Sequence, residues 1–481
     1  MRRWSATLLL AALLLLLCAA SCPVSAATTP TRAAAAAAPS PTTCPSGVRL
    51  RKPLASLSDA ERRAYVNGMK TLKARGTLDQ LSRRHRSGMA WHGTPYFFLM
   101  HRGPYSGKAL VKDYEDELLK VAPTLTGAPY WDELVDTSGP ITQSFAFRQD
   151  MLGPLVRGPL RGAFAGLRDD SNNLVTRNPL ALSTRYQWLP SGQVMAAILR
   201  NVTTYGQMAK ILEVSPHNQY HVLVGGHMGD PSISPSDPTF WVHHVYIDLL
   251  WALWQSLSLK NFQDLTSTDL RNGQTAIPLA DRVVLYPERW TNRDIVYYRT
   301  RLCYQYALPL MTAPAARRLQ DDAPAASPKK GSGKCIPRPP KQSVPFPTIE
   351  PLPADRVARI MPNMSIDAWR EVEKRVNEVA QLLNQEVQSG HVNATQLPTV
   401  AQLFQSSVSN CSMGLDNDDY QDSGIDVVQT AAAQLQAAQG NSENANATAI
   451  NVHSGAHVGR MMGEWTSVVA LAMVAMAAWI V

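Results

Sequence analysis

Six histidines in this chain fall into two triplets: His85, His92 and His101, then His217, His221 and His244. A neutral imidazole offers a nitrogen lone pair suited to copper, zinc, iron or nickel. Three imidazoles on one ion leave a position open, so each triplet is a candidate for binding and activating a small molecule. Two such sites face to face could hold O2 between them. Only 11 histidines occur in 481 residues, and the stretch 85–244 holds these six together with His227 and His243. Surface histidines scatter, so this clustering needs a cause. In PHNQYH, His217 and His221 are four apart and share one face of a helix. His244 lies in DPTFWVHHVYIDLLWALWQ, which runs at helical period from a proline-bounded start.

Helices must carry these ligands. Ser58-Asp59-Ala60-Glu61 has the form of a capping box and opens a helix through about Lys73. A second helix is expected over Thr94 to His101 and a third over Lys108 to Val121. The pair at 217 and 221 sits on another, and Thr239 to Ser256 forms the last. Two helices would present each triplet. The expected fold is mainly α, an antiparallel four-helix bundle core with metal ligands projecting inward. Long Gly- and Pro-rich loops are expected at 132–190 and 225–238, and a small helical region follows toward the C-terminus. Trp241, Trp251 and Trp254 stand at helical spacing and read as core. His227, in a loop, reads as surface.

The residues around the histidines resemble the tyrosinase family of type 3 copper proteins. The second motif is similar almost throughout: His217-Asn218-x-x-His221, Gly225-Gly226-x-Met228, and Asp237-Pro238-x-Phe240-x-x-His243-His244-x-x-x-Asp248. The first is similar in His92-x8-His101-Arg102, with Pro95, Phe97 and Phe98 between. Glu115, Pro129-Tyr130-Trp131-Asp132 and Cys303-Tyr304-x-Tyr306 also match. The resemblance covers roughly residues 45 to 310. It implies two copper ions, copper A on His85, His92 and His101 and copper B on His217, His221 and His244, with His243 behind them. It also implies that Asp248, in the copper B helix, pairs with Arg49 or Arg51 behind the ligands and helps orient their rings. Three departures stand out. Leu99-Met100 replaces the family's Pro-Trp, Ala90 excludes a thioether to His92, and the loop from His85 to His92 is short. The last leaves a two-histidine copper A site as the alternative.

The chemistry implied is ortho-hydroxylation of monophenols and oxidation of o-diphenols to o-quinones by O2. A phenol has an unperturbed pKa near 10, so a base helps it bind a metal at neutral pH. Glu213 and Asn218 match the family's glutamate and asparagine that hold a proton-accepting water. Pro231 falls where some relatives place a bulky gate over copper A, and a proline there leaves the path open. A catechol oxidase without the hydroxylase step and a non-catalytic haemocyanin-like O2 carrier are the alternatives. So is a structural protein with a degenerate copper A.

The remaining segments read in order. Residues 1–26 resemble a signal peptide, with Arg2 and Arg3 before an apolar run and Val24-Ser25-Ala26 at the cleavage site. Residues 27–43 are a low-complexity lead-in, 44–311 the dicopper catalytic domain and 312–346 a protease-sensitive linker. Residues 347–425 form a C-terminal helical region, a candidate cover for the copper site. Residues 426–453 are a low-complexity stalk, and 454–481 end in an apolar run that fits a glycolipid-anchor signal. With Cys18 and Cys22 gone, Cys44, Cys303, Cys335 and Cys411 allow two disulfides in three pairings. Asn201, Asn363, Asn393, Asn410 and Asn446 begin glycosylation sequons. All this points to the secretory pathway and a lipid-anchored cell-surface protein. The formal charge of +8 is dispersed, so no nucleic-acid partner is expected. The oligomeric state is left open.

Overall fold

A computed structural model describes residues 44, 46–102, 104–105, 108–134, 141–180, 188–266, 277, 291–307, 346–394, 397–400 and 402–403. The expected signal peptide, lead-in, stalk and apolar tail lie outside these residues. So do nearly all of the linker, Cys335, Cys411, Asn410 and Asn446. Among the described residues no helix is long and apolar enough to cross a membrane.

The described chain is mainly helical. Helix α1 (Asp59–Ala74) starts from the expected capping box, Ser58 Oγ accepting the Glu61 amide and Glu61 accepting from the Ser58 amide. Helix α2 (Thr77–Ser87) is one the sequence reading missed. Its buried Leu78, Leu81, Ser82 and His85 repeat at helical spacing, but arginines crowd the rest of the segment. Helix α3 (Phe97–Arg102) begins later than Thr94. Gly93, at φ 72°, and Pro95 hold the preceding chain in a turn. Helix α4 (Leu110–Val121) likewise starts two residues late, because Lys108–Ala109 pairs with Pro104–Tyr105.

Helices α5 (Gly192–Asn201) and α6 (Tyr205–Leu212) lead into a bent segment, Glu213–Asn218, and then α7 (Gln219–Val224). The bend falls at Ser215, whose φ of −136° and ψ of 114° are not helical, just before Pro216. Helix α8 (Thr239–Ser256) has the expected limits and is buried almost throughout, Trp241, Trp251 and Trp254 fully so. Strand β1 (Arg49–Arg51) pairs in parallel with β2 (Tyr304–Tyr306), and the disulfide Cys44–Cys303 closes the chain beside them. The described residues of 132–190 are largely irregular, with short 3-10 turns and a small ladder between Gly158–Pro159 and Thr176–Arg177.

Helices α9 (Ala354–Ile360) and α10 (Ile366–Gln388) form the C-terminal region. One stripe of α10, including Trp369, Val372, Val376, Val379 and Leu383, is buried. Phe346, Ile349 and Leu352 lie against it in a proline-rich, irregular stretch. Asn384 exchanges two hydrogen bonds with the Phe346 backbone, at 3.0 and 2.7 Å, and Asn377 two with that of Ile349, at 2.7 and 3.1 Å. Glu373 accepts the Leu352 amide at 3.1 Å, and Arg370 donates to its carbonyl. A polyproline-type chain advances about 9 Å in three residues and a helix about 10.5 Å in seven, so these two spacings stay in step. The region docks on the rest of the chain through Arg356, which donates to the Asn178 carbonyl at 2.9 Å, and through Asn363, 3.5 Å from the Met89 carbonyl.

Candidate metal centre

His85 reaches the centre because it stands on the buried stripe of α2, in line with Leu78 and Leu81. His92 comes from no helix. It closes the 3-10 turn Met89–Trp91, and the left-handed Gly93 after it turns the chain into α3, which carries His101. His217 lies in the bent segment after α6, His221 on α7, and His243 and His244 in the first half of α8.

The structure brings the predicted ligands together in two buried groups. His85, His92 and His101 form one, and His217, His221, His243 and His244 the other. Within each group one ring nitrogen per residue lies within 4.8 Å of those of the others. His85 Nε2 is 3.3 Å from His101 Nε2, and His244 Nε2 is 3.4 Å from both His217 Nε2 and His221 Nε2. Imidazole–metal bonds of about 2.0–2.1 Å at tetrahedral angles place donor nitrogens roughly 3.3 Å apart. The two groups adjoin, with the His101 and His244 rings stacked at 4.4 Å. Phe97 packs between His101 and His217, at 4.4 and 4.6 Å, and Phe240 contacts His244 at 4.1 Å and His85 at 5.0 Å.

Hydrogen bonding sets the direction of the lone pairs. The Nδ1 atoms of His101, His217 and His221 stand 2.9, 3.1 and 2.7 Å from the carbonyls of Phe97, Glu213 and Met228. Carbonyls only accept, so each Nδ1 carries the proton and each Nε2 turns its lone pair into its cluster. Burial, reinforced by the neighbouring histidines, holds the His92 pKa down at about 4 and those of His85, His101, His217 and His244 well below the ordinary value. Burial likewise lowers His221 to about 4. The rings are therefore neutral at physiological pH, the form a metal requires. The residues present fit a pair of metal ions.

Behind α8 lies a second polar layer. Asp248, one turn after His244, accepts from Arg51 at 3.0 Å and Tyr304 at 2.6 Å, and contacts Arg102 and Tyr306. Of the two arginines offered for this role, Arg51 fills it, while Arg49 faces Glu115 and Asp116. Arg51 also bonds Glu115 at 2.9 Å. Arg102 entered the sequence analysis only as part of the first motif; its pairing with Asp248 is seen in the structure. Burial pushes the Asp248 carboxyl up, but Arg102 and Arg51 outweigh it and hold the pKa below the usual carboxylate range.

Glu213 is buried and accepts the Gly93 amide at 2.6 Å, beside His92. Burial raises its pKa well above the ordinary value, against a smaller lowering by that amide. Asn218 is also buried, and its side-chain amide has no hydrogen-bond partner among the described residues. Pro231 is buried too, with its carbonyl facing His85. His227 corrects the reading of a surface residue. It is 7% exposed, accepts the Thr176 amide on Nδ1 at 3.1 Å and points Nε2 at Asp169, away from both clusters. The GGHM loop folds back on Thr176–Asn178, where an added Cβ on Gly225 would strike the Asn178 backbone and one on Gly226 that of Thr176 and Arg177, and this carries His227 inward.

Fold and site together define a helical protein with two adjoining imidazole clusters, each able to hold one metal ion. The common central domain of tyrosinase matches residues 67–257. The tyrosinase of Streptomyces antibioticus is 30% identical over 240 residues, covering 43% of this chain and 82% of that protein. A tyrosinase-like protein of Caenorhabditis elegans is 30% identical over 230 residues, or 44% of this chain, and the match spans only 32% of that relative's length. Among solved structures, a polyphenol oxidase of Thermothelomyces thermophila aligns over 56% of this chain and 91% of its own, with 21% identity and a TM-score of 0.44. The chain belongs to the tyrosinase family, whose members bind two copper ions.

Proposed function

We propose that the chain is a two-copper phenol oxidase that hydroxylates monophenols at the ortho position and oxidises o-diphenols to o-quinones. One monophenol and one O2 yield one o-quinone and one water; two catechols and one O2 yield two o-quinones and two waters. His85, His92 and His101 hold one copper, and His217, His221 and His244 the other. Bound copper supplies the redox chemistry with O2, and the protein supplies orientation and proton handling.

The observation that carries the hydroxylase step is the placement of Glu213. It is a buried carboxyl with a raised pKa, tied to the amide after His92 and lying four residues before His217. A carboxylate of raised pKa is the stronger base toward a phenol O–H. The unpartnered Asn218 amide beside His217 offers a donor and an acceptor for the water that relays that proton. Phe97 and Phe240 pack against the ligand rings and hold them in place, and Pro231, standing for a bulky gate, leaves the phenol's approach open. On this reading the C-terminal region restricts that approach; its Met361 side chain lies against Gly93, the residue after His92. Secretion is part of the same reading, and the disulfide Cys44–Cys303 agrees with an oxidising compartment.

The test is oxygen uptake by copper-loaded protein with a monophenol and with a catechol, before and after limited proteolysis. Uptake with both, raised by proteolysis, is expected. Glu213→Gln should lower monophenol turnover about 100-fold or more and leave catechol turnover within a few fold, the usual reach of one general base. Uptake with catechol alone makes the protein a catechol oxidase. A full copper load without uptake makes it an oxygen carrier or a structural protein.

A further inference from the structure

We propose that Glu133 is a positioning residue for the second metal site, acting through His243. This role rests on the reading that the second cluster holds copper.

Glu133 and His243 have fully buried side chains, and Glu133 Oε1 contacts His243 Nδ1. The turn that bears Glu133 is anchored next to its target, for the Trp131 amide donates to the Val242 carbonyl at 3.2 Å. His243 is thereby held with its proton on Nδ1. Its ring backs two of the metal-facing imidazoles. It stacks on His217 at 5.1 Å and 17°, and stands edge-on to His221 at 5.0 Å and 80°.

Rotation about the last side-chain torsion of histidine is broad, so no intrinsic preference fixes the plane of the His243 ring. The carboxylate fixes it. With the plane set, His243 is a wedge that keeps His217 and His221 spread, each with Nε2 3.4 Å from His244 Nε2. Without Glu133 the ring can turn. The stack on His217 is then lost, and the donors no longer converge. Partners that orient ligands in this way are worth about 10–100-fold in metal affinity.

The experiment measures copper per chain, and its release to a competing chelator, for the full-length wild type, Glu133→Leu, Glu133→Gln, His243→Phe and the Leu/Phe double variant. The wild type should bind two coppers. Glu133→Leu should still bind two at saturation but release one of them about 10–100-fold more readily. Glu133→Gln, which keeps an acceptor oxygen, should recover most of that loss. The double variant should release copper no faster than His243→Phe, since the carboxylate's effect on the metal runs through that ring. Unchanged release from Glu133→Leu, or equal loss of both coppers, overturns the role. So does a His243→Phe variant that saturates at one copper, because His243 is then a ligand. A wild type binding fewer than two coppers overturns the reading beneath and this role with it; a two-copper wild type with an unaffected Glu133→Leu overturns the role alone.

Discussion

Replacing Asp248 with Asn tests the polar layer behind the copper B helix. Two guanidiniums, Arg51 and Arg102, and two carboxylates, Asp248 and Glu115, balance one another with almost no exposure to water. Asparagine keeps the shape and removes one negative charge, leaving a buried guanidinium uncompensated. Breaking a buried ion network in this way costs about 3–5 kcal/mol. A domain has about 5–15 kcal/mol in all, so the loss is a large fraction. At about 2–4 °C per kcal/mol for a domain of this size, the melting temperature should fall about 6–20 °C. Thermal unfolding of the metal-free protein reads it. Adding Arg102→Met removes the stranded charge and fills part of its volume, at the loss of the guanidinium that stands 3.5 Å over the Trp251 ring. The double variant should regain much of the loss. The pH dependence has a definite sign. The Asp248 pKa is lowered in the folded state, so its stabilisation is present above the ordinary carboxylate pKa and fades as pH falls through the folded value. Asp248→Asn should flatten that acid limb. A loss under about 1 kcal/mol, against the 3–5 expected of such a network, would refute the reasoning. So would a double variant no more stable than the single one.

Two further outcomes follow from the geometry. His85→Ala should reduce bound copper from two per chain to one and abolish oxygen uptake with both substrates; retention of two coppers would return copper A to the two-histidine alternative. Asn377→Ala with Asn384→Ala strips the backbone partners from Phe346 and Ile349, each unpaired buried group costing about 1–3 kcal/mol. Hydrogen exchange over 346–352 should then rise sharply while that of α8 holds. Unchanged protection would mean that Asn377 and Asn384 do not hold residues 346–352 on α10.

Much of the site was legible because its information is local. His217 and His221 share a face through four-residue spacing, and α8 begins where Pro238 and the following apolar period say it must. The capping box at Ser58 is a four-residue pattern read without reference to the rest of the chain. Helix α2 was harder, since only Leu78, Leu81 and His85 mark its buried stripe among arginines and polar residues. The mainly α class follows from these periods, and the copper pair from motif resemblance.

The amino-acid sequence by itself determined which donors exist, their local facing and the family they belong to. Tertiary structure decided what meets across distance. His101 stacks on His244 across 143 positions, Asp248 collects Arg51, Arg102 and two tyrosines, and Glu133 finds His243 110 residues away. His227 turned inward for the same reason, as its loop folded onto Thr176–Arg177. Local periodicity constrains a residue's direction within its own element. Partners a hundred residues apart are chosen by how the elements pack, and that depends on the whole buried surface at once.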